Sequence, residues 1–307
     1  MPAPKSLALP RLREDQLAPL SAAYAQALRQ KRLSSLFLMA AIIVAAIVSA
    51  LLAEVAPARF VQNIGDFFSY FGRIAVFDDS VPDRPDLIGR FVLFDVGEWM
   101  WGIDRWLRLL VDTLLIAYLG TVLGTIGAFA LCFLAAQNLM PNKWIRLSVK
   151  RYLEFCRTVP ELVFALIFVI AFGLGPVPGV LAIAIHTMGA NGKLFAEVAE
   201  NIDMKPVEGV MAAGGSWVQV MRFAVVPQVL SNFVSYTLLR FEINVRGASV
   251  MGFVGAGGIG QNLIEAIRKF YYTDVSAILV LIIATVMIID LVTERLRHAL
   301  IGKESSK

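Results

Sequence analysis

The amino-acid sequence predicts an all-helical protein that crosses a membrane six times. Of its 307 residues, 58% are hydrophobic, and the mean hydropathy is +0.69, whereas a soluble domain is about 45–50% apolar. The excess lies in long runs without a charged side chain, and a membrane-spanning helix needs about 20 mostly apolar residues. These uncharged runs cover residues 36–53, 114–136, 162–192, 227–239 and 275–289.

The third uncharged run predicts two spans, because the glycine- and proline-rich sequence at 173–179 ends a helix and forms a tight turn. Each half is shorter than a bilayer crossing. We therefore expect the third span to begin near Val149 and the fourth to end near Glu200. This extension would place Arg157 and Glu161 at or near membrane depth.

The distribution of charge predicts the orientation. Basic residues collect in the arm 1–35, before the first span, whereas the segment 54–111 contains nine acidic and six basic residues. Basic loops stay inside, so the arm is expected inside, as a juxtamembrane helix over 13–31 and not as a nucleic-acid-binding patch. The span 36–53 is expected to be an uncleaved anchor. Six spans return the tail 300–307 to the inside.

Two features of the first half have structural expectations. Trp99, Trp101 and Trp106 are typical of a helix that lies at headgroup level outside the membrane. Gly120 and Gly124 have the G-x-x-x-G spacing that lets two membrane helices approach closely. Glycine is also common in membrane helices without any such contact, so both interpretations of this pair stay open.

The motif that indicates the class of protein lies in a long inner loop, residues 201–226. The loop reads E-G-V-M-A-A-G from Glu208 to Gly214, and after nine further residues A-V-V-P ending at Pro227. It resembles the loop of binding-protein-dependent ABC importer permeases, whose pattern is E-A-A, three residues, G, nine residues, I-x-L-P. The positions that depart from the pattern are all small or apolar: Gly209, Val210, Ala224 and Val226.

We expect this loop to form two short helices over 206–223, with Glu208 in the first turn of the first helix, where a carboxylate is favourable. Ser216 can cap the second helix, whose apolar stripe needs a partner groove: Val218, Met221 and Val225. By the resemblance, the partner is the ATPase subunit, and the coupling residues are Glu208, Gly214, Gly215 and Pro227. A loop packed on its own helices is the alternative.

Four further segments resemble the phosphonate-type permeases: 157–162, 192–197, 240–246 and 255–260. The resemblance covers about 109–299 and implies the type I permease fold of ABC importers, with a core at 112–299. It also implies two copies of the chain, two ATPase subunits, an external solute-binding protein and a phosphonate or related phosphorus oxyanion, in a bacterial cytoplasmic membrane. The alternatives are a permease for methionine, betaine or another oxyanion, and, in another class, a membrane enzyme or assembly factor.

Polar residues at membrane depth are candidates for the translocation path: Arg157, Arg240, Glu242, Asn244 and Arg246. Ionisable groups at this depth are costly and usually face a bundle interior or a water-filled cavity. They could instead form a structural lattice, since Glu242 and Arg246 are four residues apart on one helix face. We favour the lattice for Glu242 and the path for Arg246. We interpret His186 as a hydrogen-bonded packing residue.

The glycine-rich sequence at 255–260 satisfies the G-x-G-x-x-G pattern of dinucleotide sites, but its flanks are predicted membrane helices and not a strand and a helix. A hinge or outer gate fits better, formed by Gly255, Gly257, Gly258 and Gly260, and a plain glycine-rich turn is the alternative.

No nucleotide-binding P-loop pattern occurs in the sequence, so we expect ATP hydrolysis by a separate subunit. Two separated histidines and two cysteines predict neither a metal site nor a cofactor nor an enzyme.

Overall fold

The computed structural model describes residues 14–54, 57–77 and 86–302, and every regular element in these ranges is a helix. The chain forms two compact units, one up to Ser69 and one from Tyr70 onward. The predicted parts 1–13 and 303–307 of the basic arm and the tail lie outside the described residues.

In the first unit, the described part of the predicted arm and the first predicted span form one continuous helix, α1 (Glu14–Leu52). Helices α2 (Pro57–Gln62) and α3 (Ile64–Ala75) follow in the sequence. The window 23–52 of α1 is long and apolar enough to cross a membrane. The predicted boundary between the arm and the first span at residue 35 is therefore not a helix break.

The described residues within 76–99 contain little regular structure. After a single antiparallel bridge between Val76 and Phe91, the chain forms one 3-10 turn and the short helix α4 (Val96–Trp99). Trp99 and Trp106 are only 6% and 2% exposed. These rings fill an apolar cluster with the last helices of the chain, while their position at headgroup level stays a prediction. Trp101 alone is largely exposed.

Two long helices form the centre of the second unit: α5 (Ile103–Ala135) and α8 (Pro176–Glu200). A Cβ on Gly120 would lie 2.6 Å from Ile183 Cγ2, and a Cβ on Gly124 would lie 2.5 Å from the carbonyl oxygen of Ala184. The G-x-x-x-G contact between helices is therefore confirmed.

The predicted third span is broken. Helix α6 (Lys143–Thr158) and helix α7 (Glu161–Phe172) meet at an angle of 85°. A single helix from Val149 is therefore wrong, because Pro160 lacks the amide hydrogen that a helix interior requires and forces Val159 into an extended conformation (ψ 123°).

The turn after α7 is shorter than the sequence indicated. Pro176 already lies in the first turn of α8, where the missing amide hydrogen costs nothing. The expected end of this helix at Glu200 is confirmed.

The remaining elements are α9 (Met204–Ala212), α10 (Trp217–Val220), a π-helical turn at Met221–Val225, α11 (Val226–Met251), a 3-10 turn, α12 (Ile259–Arg268) and α13 (Tyr272–Gly302). Among the described residues, three helices are long and apolar enough to cross a membrane, or four if the bent pair α6–α7 counts as one span. Helices α8 and α11 have 25 and 26 residues, which also suffices by length at about 1.5 Å per residue, but polar and charged side chains interrupt them. The six-span count stays a prediction.

Candidate coupling surface and translocation path

The predicted coupling loop is a helix-turn-helix, but its first helix begins earlier than expected. Asp203 caps α9, and its Oδ1 accepts a hydrogen bond of 3.0 Å from the amide of Lys205. Glu208 therefore lies in the second turn and not in the first, so the predicted dipole interaction at the helix start is wrong. Asp203 stabilises the start of α9, while Glu208 is exposed to solvent.

The turn between the two helices depends on its glycines. Gly214 has a φ of +81°, a conformation that side chains disfavour. The amide of Gly215 donates a hydrogen bond of 3.0 Å to the carbonyl oxygen of Val210, and a Cβ on Gly215 would lie 2.8 Å from that oxygen. The glycine pair therefore permits a reversal of the chain in which other residues would have a strained backbone or a steric clash.

The second helix begins at the predicted residue. Gln219 Oε1 accepts a hydrogen bond of 2.7 Å from the amide of Ser216, and Trp217 Nε1 donates one of 3.2 Å to the carbonyl oxygen of Leu139. Helix α10 passes through the π turn directly into α11, and Pro227 lies in the first turn of α11. The loop is therefore anchored to the bundle at both ends.

The apolar stripe predicted for this helix is partly buried and partly exposed. Met221 and Val225 are buried in the protein's own core, and only Val218 is exposed. The sequence interpretation missed the other exposed apolar side chains of this surface: Met211, Trp217 and Phe223. We call Met211, Trp217, Val218 and Phe223 the apolar face of the loop. A part of the predicted stripe thus packs on its own helices, as the alternative interpretation held.

Glu242 is the centre of an ion-pair network between α11 and α13. Its carboxylate contacts Arg246 on the same helix and lies 3.6 Å from Arg297. Arg246 also lies 3.3 Å from Asp290, and Thr293 Oγ1 lies 3.4 Å from Glu242 Oε2. The Glu242 side chain is 12% exposed and the Arg246 side chain 47%. The structure therefore includes both residues in one lattice, whereas the sequence assigned Arg246 to the path.

Arg240 belongs to a different group, with Glu161 at the start of α7 and His186 on α8. It interacts electrostatically with both. Glu161 Oε2 and Arg240 Nε are buried and have no hydrogen-bond partner within the described part of the chain. His186 Nδ1 lies 3.2 Å from the carbonyl oxygen of Val159, which only accepts, so this nitrogen carries the proton. The predicted hydrogen bond of His186 is therefore present.

Asn244 is fully buried where three helices meet. Its Nδ2 donates hydrogen bonds to Thr121 Oγ1 on α5, at 2.8 Å, and to Thr187 Oγ1 on α8, at 2.9 Å. A second asparagine one turn of α8 further on, Asn191, donates to Thr125 Oγ1 at 3.2 Å. Asn244 thus joins helices, while the exposed Arg157 lies at the end of α6 beside the break.

The glycine-rich sequence packs backbone against backbone. Gly255, Gly257 and Gly258 have φ values of +83°, +84° and +78°. A Cβ on Gly258 would lie 2.5 Å from Thr113 Oγ1, which accepts a hydrogen bond from the amide of Ile259. A Cβ on Gly260 would clash with the carbonyl oxygen of Ser249. These glycines are required by close packing, which holds whether or not they also act as a hinge.

Within the described ranges, no group of three His, Cys, Asp or Glu side chains could hold a metal ion. The site therefore consists of an exposed apolar loop, an ion-pair lattice, a second group of charges that do not touch, and a broken helix. Discontinuous membrane helices of this kind occur in transporters, where the break leaves backbone groups free near the transported species.

A family model described as binding-protein-dependent transport system inner membrane component matches residues 120–303. The chain belongs to this family, so it is a membrane transport component and not an enzyme. Among relatives, the phosphite transport system permease protein PtxC of Stutzerimonas stutzeri is 42% identical over 189 residues, 62% of this chain and 69% of that protein.

The putative cryptic phosphonate transport system permease protein PhnE2 of Escherichia coli K12 is 49% identical over 117 residues, 38% of this chain and 96% of that protein. The chain is also similar to an inward-facing structure of the MetNI methionine ABC transporter, with a TM-score of 0.55 and 19% sequence identity. The match covers 64% of this chain and 95% of the chain in that structure. This likeness confirms the predicted fold class, the all-helical permease fold of ABC importers.

Proposed function

We propose that this chain moves a phosphonate or a related phosphorus oxyanion through the membrane as the permease subunit of an ATP-driven importer. The observation that carries the ligand class is the 42% and 49% identity to proteins named as phosphite and phosphonate permeases. Arginines on α6 and α11 agree with it, since a guanidinium binds an oxyanion through two parallel hydrogen bonds. Arg157, Arg240 and Arg246 are the path residues, with Glu242 and Asn244 beside them.

The test is uptake into vesicles that contain the permease and its ATPase, supplied with the external solute-binding protein. We expect ATP-dependent uptake of labelled phosphite or methylphosphonate, with unlabelled phosphonate as a competitor. Methionine and betaine should not compete. Uptake of either of these two, without uptake of a phosphorus oxyanion, would contradict the ligand class and leave the fold assignment intact.

The apolar face of the loop is the docking surface for the ATPase. Four exposed apolar side chains on a rigid, doubly anchored helix pair fit a groove on another protein. Glu208 is exposed on the same loop, and Gly214, Gly215 and Pro227 set its shape. Two copies of the chain, two ATPase subunits and an external binding protein complete the transporter.

Gly214→Asp tests this docking. It forces a side chain into a φ of +81° on the loop, so we expect the ATPase to be lost on purification and transport to stop. Gly173→Asp is a matched control. Gly173 also has a positive φ, +86°, with open space around it, but it follows the end of α7 and is not part of the coupling loop. Equal recovery of the ATPase with both variants would contradict the coupling role.

The orientation follows the positive-inside pattern, with the arm 1–35, the coupling helices and the tail 300–307 inside, and the segment 54–111 outside. Labelling with an impermeant thiol reagent tests it in a background without Cys132 and Cys156. Leu174→Cys and Ala213→Cys are suitable, since both residues are exposed. We expect Leu174→Cys to react in intact cells and Ala213→Cys only after permeabilisation. The reverse pattern would invert the orientation.

A further inference from the structure

The fold leaves room for the carboxylate of Glu161 against helix α11. It is the first residue of α7, directly after the break at Pro160. A Cβ built on Gly247 of α11 would clash with Glu161 Oε1. Any side chain at position 247 would therefore displace the carboxylate, and glycine at this position leaves the carboxylate room against α11.

Arg240 lies seven residues before Gly247, two turns earlier on the same face of α11. Glu161 and Arg240 attract each other, but within the described part of the chain they form no ion pair of 4.0 Å or less. Both a carboxylate oxygen and the guanidinium Nε remain buried without a hydrogen-bond partner. An uncompensated charge at membrane depth is costly, so each group compensates the charge of the other although the two form no ion pair.

We propose that Glu161 is an internal counter-ion that competes with the transported oxyanion for Arg240 and thereby keeps the anion weakly bound in the path. The proposal rests on the function proposed above. The oxyanion takes the hydrogen bonds that Arg240 leaves unused, and the carboxylate of Glu161 opposes its negative charge. The carboxylate restores neutrality when the anion leaves. Weak binding matters, because conduction requires that the transported ion can also leave.

The first experiment compares anion binding by purified permease–ATPase complexes, with labelled phosphite as the probe in equilibrium dialysis. Glu161→Gln keeps the size of the side chain but removes its charge, so we expect phosphite to bind about tenfold more tightly, which matches one hydrogen bond to a charged group. Uptake should slow because release is slower. Glu161→Asp keeps the charge and should bind phosphite as the wild type does. Unchanged or weaker binding by Glu161→Gln would overturn the proposal.

The second experiment measures assembly and remains informative if Glu161→Gln does not fold. Glu161→Gln and Arg240→Gln each leave one buried charge without its counter-ion, so each should reduce the yield of the complex. The double variant is neutral again and should recover it. A double variant no better than the worse single variant would show that the two residues do not compensate each other. Gly97→Ala is the control glycine substitution, since a Cβ there meets open space, while Gly247→Ala should lower the yield.

Wild-type behaviour distinguishes the two levels of the proposal. A wild type that takes up methionine or betaine but neither phosphite nor methylphosphonate would refute the proposed function. A wild type that takes up phosphite, with Glu161→Gln unchanged in phosphite binding, would refute only the role of Glu161.

Discussion

Helix α11 contributes arginine and glutamate side chains to two groups of charged residues, and only one of these groups forms ion pairs. Around Glu242, two arginines approach the carboxylate, and Arg246 also reaches Asp290 at 3.3 Å. Around Arg240, the carboxylate of Glu161 is near enough to attract but not to touch, and polar atoms of both residues are left without partners. The first arrangement joins α11 to α13 through ion pairs, although Arg297 Nε is itself buried without a hydrogen-bond partner in the described part of the chain. In the second group the acid and the base form no ion pair, and each keeps a buried atom without a hydrogen-bond partner there.

The difference comes from the partner helix. Glu242 and Arg246 are four residues apart and can pair without help from the fold, and α13 adds Asp290 and Arg297 from its polar side. Arg240 has no such neighbour on its own helix, and its counter-ion comes from the start of α7, which exists only because Pro160 breaks the preceding helix.

The largest effect that separates the two groups is expected for Glu242→Gln. The change removes the charge of a carboxylate that is 12% exposed and leaves Arg297 without its ion-pair partner, so we expect a loss of about 3 kcal/mol in stability. Thermal denaturation of the complex in detergent measures it. Glu197→Gln is the matched control, since its pair with Lys193 is exposed and should contribute roughly 0.5 kcal/mol or less. Equal melting temperatures for the two variants would show that the lattice does not stabilise the fold.

A smaller loss of stability is expected for Asn244→Ala. Asn244 lies between Arg240 and Arg246 in the sequence of α11. This variant removes both hydrogen bonds that join α11 to α5 and α8. Hydrogen bonds between membrane helices contribute about 0.6–1.7 kcal/mol each, so we expect a loss of about 1–3 kcal/mol. Thr237→Val is the control, because that hydroxyl donates only within α11, to Phe233. If Thr237→Val were equally destabilising, Asn244 would not have a special role in joining the helices.

How far the sequence could predict these features depends on their range along the chain. The Glu242–Arg246 pair followed from the spacing of four residues, and the end of α8 at Glu200 followed from the length of a span. Asp290 and Arg297 could not be predicted as partners, since the rotation of α13 relative to α11 is set by packing of the whole bundle. Gly247 carried no signal either, because its role is to make room for a residue 86 positions away.

Local competition between signals explains the remaining errors. Pro160 was visible in the sequence, but the uncharged run that follows it suggested one long span, and the proline determined the break. Asp203 competes with Glu208 for the start of α9, and Asp203 prevails because it precedes the helix and can accept a backbone hydrogen bond. Helix α12 was not predicted, because its ten residues are too short and too polar to resemble a span.

Arg246→Gln should affect transport more than stability. The Arg246 side chain is 47% exposed, and its pair with the 40% exposed Asp290 contributes about 0–1 kcal/mol. Glu242 keeps Arg297. We therefore expect nearly normal yield of the complex and strongly reduced uptake of labelled phosphite, because the variant removes a guanidinium that the proposed function assigns to the path. Arg268→Gln, an exposed arginine at the end of α12, is the control. Normal uptake by Arg246→Gln, or loss of its complex, would assign Arg246 to the lattice alone.

Thr293→Val should have the smallest effect and defines what holds Glu242. The buried Thr293 hydroxyl lies 3.4 Å from Glu242 Oε2, but it is closer, at 2.9 Å, to the carbonyl oxygen of Ile289 on its own helix. Valine has nearly the same shape, and Glu242 keeps both arginines, so we expect a loss of about 0.5 kcal/mol or less and unchanged uptake. A thermodynamic cycle with Glu242→Gln checks the assignment, and the two losses should add. A loss above about 1.5 kcal/mol for Thr293→Val alone, or a strong coupling in the cycle, would mean that the hydroxyl, and not the arginine pair, orients the carboxylate.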